Sequence, residues 1–138
     1  MVRIKRAYEP PGREDGHRIL IDRLWPRGLR KEDLPLDAWA KDLAPTDGLR
    51  RWFGHEPSRW RGFIARYRQE LRAPAARALL DELSRRTTAG TVTIVYGARD
   101  EAHNNAVVVL GEIERRLRRS TRSSGRQRAH SAADRSVP

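Results

Sequence analysis

The feature that most constrains this chain is a β-branched run, Thr91-Val92-Thr93-Ile94-Val95-Tyr96, that follows a long helical stretch and precedes another helix. Such a run predicts a strand. A strand reached through helices from an earlier strand predicts a parallel crossover, and with it an α/β layer fold. The earlier strands are predicted at Val2–Tyr8 and Arg18–Trp25. Pro10-Pro11-Gly12 ends the first, and Gly12–Gly16 forms a turn. The apolar middle of the second suits a strand buried on both faces. Pro26 stops it, and Gly28 permits a sharp bend.

Between the early and late strands the spacing is helical. Leu36 to Leu43 alternates in a way that favours a short extended segment, with a helical turn as the alternative. Thr46 or Asp47 caps a short helix that runs to Phe53 and closes at Gly54. Pro57-Ser58 opens a longer helix, in which Trp60, Phe63, Ile64, Tyr67 and Leu71 form one apolar stripe. A third helix begins at Pro74, carries Leu79, Leu80 and Leu83, and ends by Gly90. Ala106, Leu110, Ile113 and Leu117 define the last helix. The expected fold is α/β: a small, mostly parallel sheet of three to four strands flanked by helices, within a single domain over residues 1–119. Residues 120–138 are mostly Ser, Arg, Ala and Gly with one valine and little to bury, and are expected to form a disordered basic tail.

Composition narrows the chemistry. The chain contains no cysteine, which removes disulfides, thiolate nucleophiles and Cys-based zinc sites. No apolar stretch reaches the length of a signal peptide or a membrane span, so a cytoplasmic protein with no membrane partner is expected. The formal charge of +11 points to polyanions. Nearly half of it lies from Arg118 onward, where six arginines meet one acid. Charge alone therefore makes the tail, rather than the folded part, the expected route to a nucleic-acid partner.

Two polar runs stand where α/β folds bind ligands, beyond the carboxyl ends of strands. In the first, Asp22, Arg23, Trp25 and Arg27 combine an acid, two planar guanidinium forks suited to phosphate or carboxylate, and an aromatic. The second runs from Tyr96 through Arg99, Asp100, His103, Asn104 and Asn105, and opens a helix whose N-terminus favours anions. Here His103, oriented by Asp100, is a candidate general acid or base, and with Asp22 these are the candidate catalytic residues. Arg23, Arg27 and Arg99 would grip an anion with help from Lys41, Trp25 or Tyr96 would stack on a ring, and His55 would line the same pocket. Asn104 and Asn105 would donate to an oxyanion or cap the helix. The spacing of His55, His103, Asp22 and Asp100 matches no recognised metal-ligand pattern, no Gly-rich phosphate loop is present, and no cofactor is implied.

Four runs, DRLWPRG at 22–28, LDAWAKDLAP at 36–45, WFGHEPSRW at 52–60 and YGARDEAHNN at 96–105, together resemble the YeaO-like branch of the domain-of-unknown-function-488 family. The resemblance covers residues 3 to 117. It implies the α/β fold and the location of the site, and it implies no activity. The wider family has an acid-arginine pair after an early strand, matched here by Asp22-Arg23, and a Cys-His-Arg triplet after the last strand. Here His103, Asn104 and Asn105 stand at that later place without a cysteine, so a thiol chemistry is not available to this chain. Two functional readings lead, an enzyme or sensor for a small phosphate-bearing ligand such as a nucleotide and a non-catalytic nucleic-acid-binding module, with a protein-interaction domain whose surface arginines are incidental as a third.

Overall fold

The computed structural model describes residues 1–135, with side chains as far as Arg122. Four strands form one sheet in the order β1-β4-β2-β3, where β1 is Val2–Arg6, β2 His17–Leu20, β3 Ala38–Trp39 and β4 Val92–Tyr96. All three pairings are parallel. Ile4 pairs with Ile94 and Ile19 pairs with Ile94, so β4 is flanked on both sides. This explains why all five of its residues are buried.

The two faces of the sheet are covered differently. Ile19, Ile21, Val92, Ile94 and Tyr96 face the main core, which also holds Leu49, Phe53, Phe63, Tyr67, Leu80, Leu83, Val109 and Ile113 from the helices. These come from α1 (Asp47–Phe53), α2 (Trp60–Glu70), α3 (Pro74–Ala89) and α4 (Asn105–Arg135). Leu20 and Val95, one residue out of phase, face a smaller cluster with Ala7, Leu34, Trp25, Leu29 and Leu36. The helices thus pack on one face, and the irregular segment between β2 and β3 closes the other. The period-two alternation of a strand sorts these residues between the faces.

The predicted second strand is shorter than its apolar pattern suggested. It ends at Leu20 rather than Trp25. Ile21 still donates from its N–H to Val95 O (3.2 Å), but Leu24 is 61% exposed and Trp25 turns into the smaller cluster. Residues 36–43 take the extended alternative at Ala38–Trp39 and then form a short 3-10 turn. Thr46 caps α1 by accepting from Leu49 N–H, and its own N–H and hydroxyl donate to the Glu70 carboxylate. The last residue of α4 packed on the main core is Leu117, and residues 118–122 are exposed. Residues 120–135, read from sequence as part of a tail, continue the helical backbone of α4, and residues 136–138 of that segment lie outside the described residues.

Candidate functional site

The two polar runs converge. A cavity of about 360 Å³ opens beyond the carboxyl ends of β1, β2 and β4. After β1 it is lined by Tyr8; after β2 by Asp22, Arg23, Trp25 and Arg27; after β4 by Gly97, His103, Asn104 and Asn105. The helical side supplies Arg50, Phe53, His55 and Phe63.

Asp22 is the point where these segments meet. One carboxylate oxygen accepts from Gly97 N–H at 2.8 Å and the other from Asn105 Nδ2 at 2.9 Å. The same Asn105 amide reaches Ile21 O at 3.2 Å, and Asp22 O accepts from the Trp39 indole at 2.7 Å. A Cβ at position 97 would stand 2.9 Å from the Asp22 carboxylate, so a side chain there would displace the carboxylate from its hydrogen bond. Burial pushes the Asp22 carboxyl above its ordinary value, against the opposing pull of the Asn105 and Gly97 hydrogen bonds. Asp22 does not pair with the adjacent Arg23, whose Nε instead donates to Pro45 O at 3.3 Å. Gly28 takes φ 82, the left-handed conformation its bend needs. Tyr8 fixes the neighbouring backbone by donating its hydroxyl to Arg27 O at 2.7 Å.

The loop after β4 is organised by Asp100. Its carboxylate accepts from the N–H groups of Ala102 and His103, both at 2.9 Å, and lies 2.9 Å from His103 Nδ1. The His103 hydrogen bond, then the two backbone donors, hold the Asp100 carboxyl below its usual value. The His103 ring stands edge-on to Trp60, with centroids 5.3 Å apart. Two side chains therefore orient this imidazole. Asn104 is buried and its amide is engaged at both ends: Nδ2 donates to Asp100 O and Oδ1 accepts from Val107 N–H. It is the cap of α4, the structural alternative raised for it from sequence.

Of the residues singled out from sequence, Asp22, Arg23, Trp25, Arg27, His55, His103, Asn104 and Asn105 line one cavity. Asp100 stands behind His103. Lys41, Tyr96 and Arg99 lie outside the lining. Lys41 packs its Nζ 4.2 Å above the Trp39 ring and lines a separate depression with His17. Tyr96 faces the main core, where burial raises its phenol above the usual value, and Arg99 is exposed. Strand alternation accounts for Tyr96: it shares the phase of Val92 and Ile94, which sends its ring under the helices.

Arg50, Phe53, Phe63 and Tyr8 line the cavity without having been singled out. Arg50 follows buried Leu49 on α1, so its exposed helical position was the available signal. His55 has φ 57, the one left-handed non-glycine residue among those described. Such conformations cost free energy and cluster at functional sites. Among the described residues, no three His, Asp or Glu side chains group closely enough to hold a metal ion, and no helix is long and apolar enough to cross a membrane.

Comparison with known proteins places this chain in a family. Residues 1–133 match the family model described as the inactive DUF488-N3 subclade. The uncharacterised protein Rv3073c of Mycobacterium tuberculosis is 43% identical over 108 residues, covering 78% of this chain and 89% of the relative. The uncharacterised protein YeaO of Escherichia coli is 36% identical over 110 residues, covering 78% of this chain and 92% of the relative. No solved structure matches the chain. The family match over nearly the whole chain, together with these relatives, shows that the chain belongs to the DUF488 family.

Proposed function

We propose that this protein binds a small, phosphate-bearing, nucleotide-like molecule in the cavity beyond the sheet, and that it acts as a binding protein rather than as an enzyme. The carrying observation is the charge balance of the lining. Three guanidinium groups, those of Arg23, Arg27 and Arg50, share the cavity with one carboxylate, Asp22, whose two oxygens already accept protein hydrogen bonds. Among the described residues no acidic partner pairs with Arg23 or Arg27, and Arg50 has only a weak, exposed pair with Asp47 at 3.5 Å. Guanidinium groups left in that state favour a phosphate, which accepts two parallel hydrogen bonds from each fork.

The rest of the lining suits a ring. Phe53 and Phe63 stack with centroids 4.5 Å apart, and the His55 ring lies 6.4 Å from Phe53. His103, held by Asp100 and Trp60, and Asn105 supply directional polar groups at the edge.

Binding without turnover is supported by what the side chains are already doing. Asp22 ties strands together and Asn104 caps a helix. The lining contains no Ser, Thr, Cys or Lys, and both oxygens of its one carboxylate, Asp22, are engaged by protein hydrogen bonds. The matching subclade is itself described as inactive. The tail-based nucleic-acid reading falls largely on residues whose side chains lie outside those described.

The test is thermal denaturation and calorimetry with nucleoside 5′-monophosphates, the matching nucleosides and inorganic phosphate. At least one monophosphate is expected to stabilise the protein more than its nucleoside does, and Arg23→Ala/Arg27→Ala to abolish the effect. Stabilisation by none of these probes, or equal stabilisation of the double variant, overturns the proposal. Release of phosphate from a bound monophosphate would instead refute the non-catalytic part.

A further inference from the structure

A second concave surface lies among α2, α3 and α4. Six arginines converge on it: Arg68 and Arg72 from α2 and the turn after it, Arg77 from α3, and Arg115, Arg116 and Arg119 from α4. The groove encloses about 600 Å³, and Glu112 is the one acid in its lining. We propose that this groove binds the phosphate backbone of a nucleic-acid duplex. The site shares no residue with the cavity beyond the sheet, so this proposal goes beyond the binding function assigned there.

The arginines fall into two sets. Glu112, whose side chain is 17% exposed, holds Arg68 at 2.8 Å, Arg116 at 3.6 Å and Arg115 at 3.9 Å, and Asp81 takes Arg116 at 2.9 Å. This half-buried acid fixes the floor of the groove. Arg72, Arg77 and Arg119 are exposed and have no acidic partner among the described residues, and Arg72 touches only Gln69 Oε1 at 3.5 Å. A solvated arginine face needs neither convergence from separate helices nor an acid anchoring half of the set. An anion-binding groove has use for both, because the anchored arginines remain positive towards a ligand that the unpaired ones contact.

The lining also indicates which nucleic acid. Single strands are held on aromatic platforms that stack their bases. This groove has none, its other lining residues being Ala65, Gln69 and Leu71. Guanidinium groups without aromatics suit a duplex, which hides its bases and presents phosphates. Recognition of this kind is independent of sequence and steeply dependent on salt.

The test is fluorescence anisotropy with a short labelled DNA duplex and the full chain, from about 50 to about 200 mM salt. Arg72→Gln/Arg77→Gln/Arg119→Gln removes the unpaired set from exposed positions. We expect this variant to lose about 10-fold or more in affinity at the lowest salt. Its log–log salt slope should be shallower by roughly two to three, at about 0.9 for each phosphate no longer neutralised. A second variant, Arg122→Gln/Arg126→Gln/Arg128→Gln, is expected to retain most of the affinity and slope. The groove assignment is overturned by no binding at low salt, by a wild-type slope in the groove variant, or by a weakening confined to the second variant. Tighter binding of a single strand of the same sequence overturns the duplex assignment.

Discussion

The carboxylate of Asp22 accepts a hydrogen bond from the backbone N–H of Gly97 across 2.8 Å, tying the carboxyl end of β2 to that of β4. Both residues line the cavity, and a side chain at position 97 would fit only if the Asp22 carboxylate moved. Gly97→Ala is therefore expected to cost about 1–3 kcal/mol through overpacking against Asp22. Asp22→Ala should cost about 1–3 kcal/mol for each donor it leaves without a partner. Urea denaturation measures both, and unchanged midpoints would show that the carboxylate is dispensable.

Asp22, half-buried, and Asp15, fully buried, should give opposite pH dependences. Burial alone would raise the Asp15 carboxyl, but Gly12 N–H and the side chains of Lys5, Arg18 and Arg3 hold it well below the usual range. Stability linked to Asp15 is thus present above the ordinary carboxylate pKa, near 4, and is lost as pH falls below it. Asp22 is raised, so its contribution is full below that value and declines as pH rises through the folded-state value. In melting curves against pH, Asp15→Asn should flatten the acid limb and Asp22→Asn the opposite one. Asp15→Asn should also destabilise at neutral pH by about 3–5 kcal/mol, because it strips the charge partner from buried Arg18.

Thr46→Ala removes the side-chain cap of α1 and the hydroxyl donor to Glu70. A loss of about 1 kcal/mol is expected by chemical denaturation. Thr46→Ser, which keeps the oxygen, should recover most of it.

Arg50 offers a separation of binding from stability. Its pair with Asp47 is about half exposed on both sides, so Arg50→Ala should change stability by less than about 1 kcal/mol. If the cavity binds a phosphate, calorimetry with the stabilising monophosphate should show affinity falling about 10-fold, the effect of one charge-assisted hydrogen bond. Unchanged affinity would place Arg50 outside the binding set.

His55→Gly tests whether the left-handed backbone is retained for function. Glycine adopts φ 57 without strain but has more freedom to lose on folding, so the two effects largely cancel, to within about 1 kcal/mol. Monophosphate affinity should fall several-fold with the imidazole gone. A variant that binds as wild type would make His55 a turn residue only.

Much of the fold was legible because periodicity reports burial directly. The stripe from Trp60 to Leu71 and the β-branched run at 91–96 each match a face that is buried, and Pro45, Pro74 and Gly54 mark helix ends by stereochemistry local to them. Residues 22–25 were harder. An apolar pattern through Leu24 and Trp25 reads as more strand, yet the chain leaves the sheet after Ile21, because Asp22 is drawn across to Gly97 and Trp25 to the opposite side of the sheet. No local rule encodes a partner 75 residues away.

The candidate site divides in the same way. The sequence by itself determined its two halves, since acids, arginines and histidine directly after strands lie at the carboxyl edge of any parallel sheet. It also determined that no thiol could act there. Only the tertiary structure decided which side chains share the cavity. It turned Tyr96 under the helices, carried Lys41 to Trp39, gave Asn104 to a helix cap, and brought Arg50 and Phe53 in from α1. It alone gathered six arginines from three helices around Glu112. The physical reason is that a side chain's neighbours across the fold are set by how strands and helices pack, and that packing minimises exposed apolar surface over the whole chain rather than within any one segment.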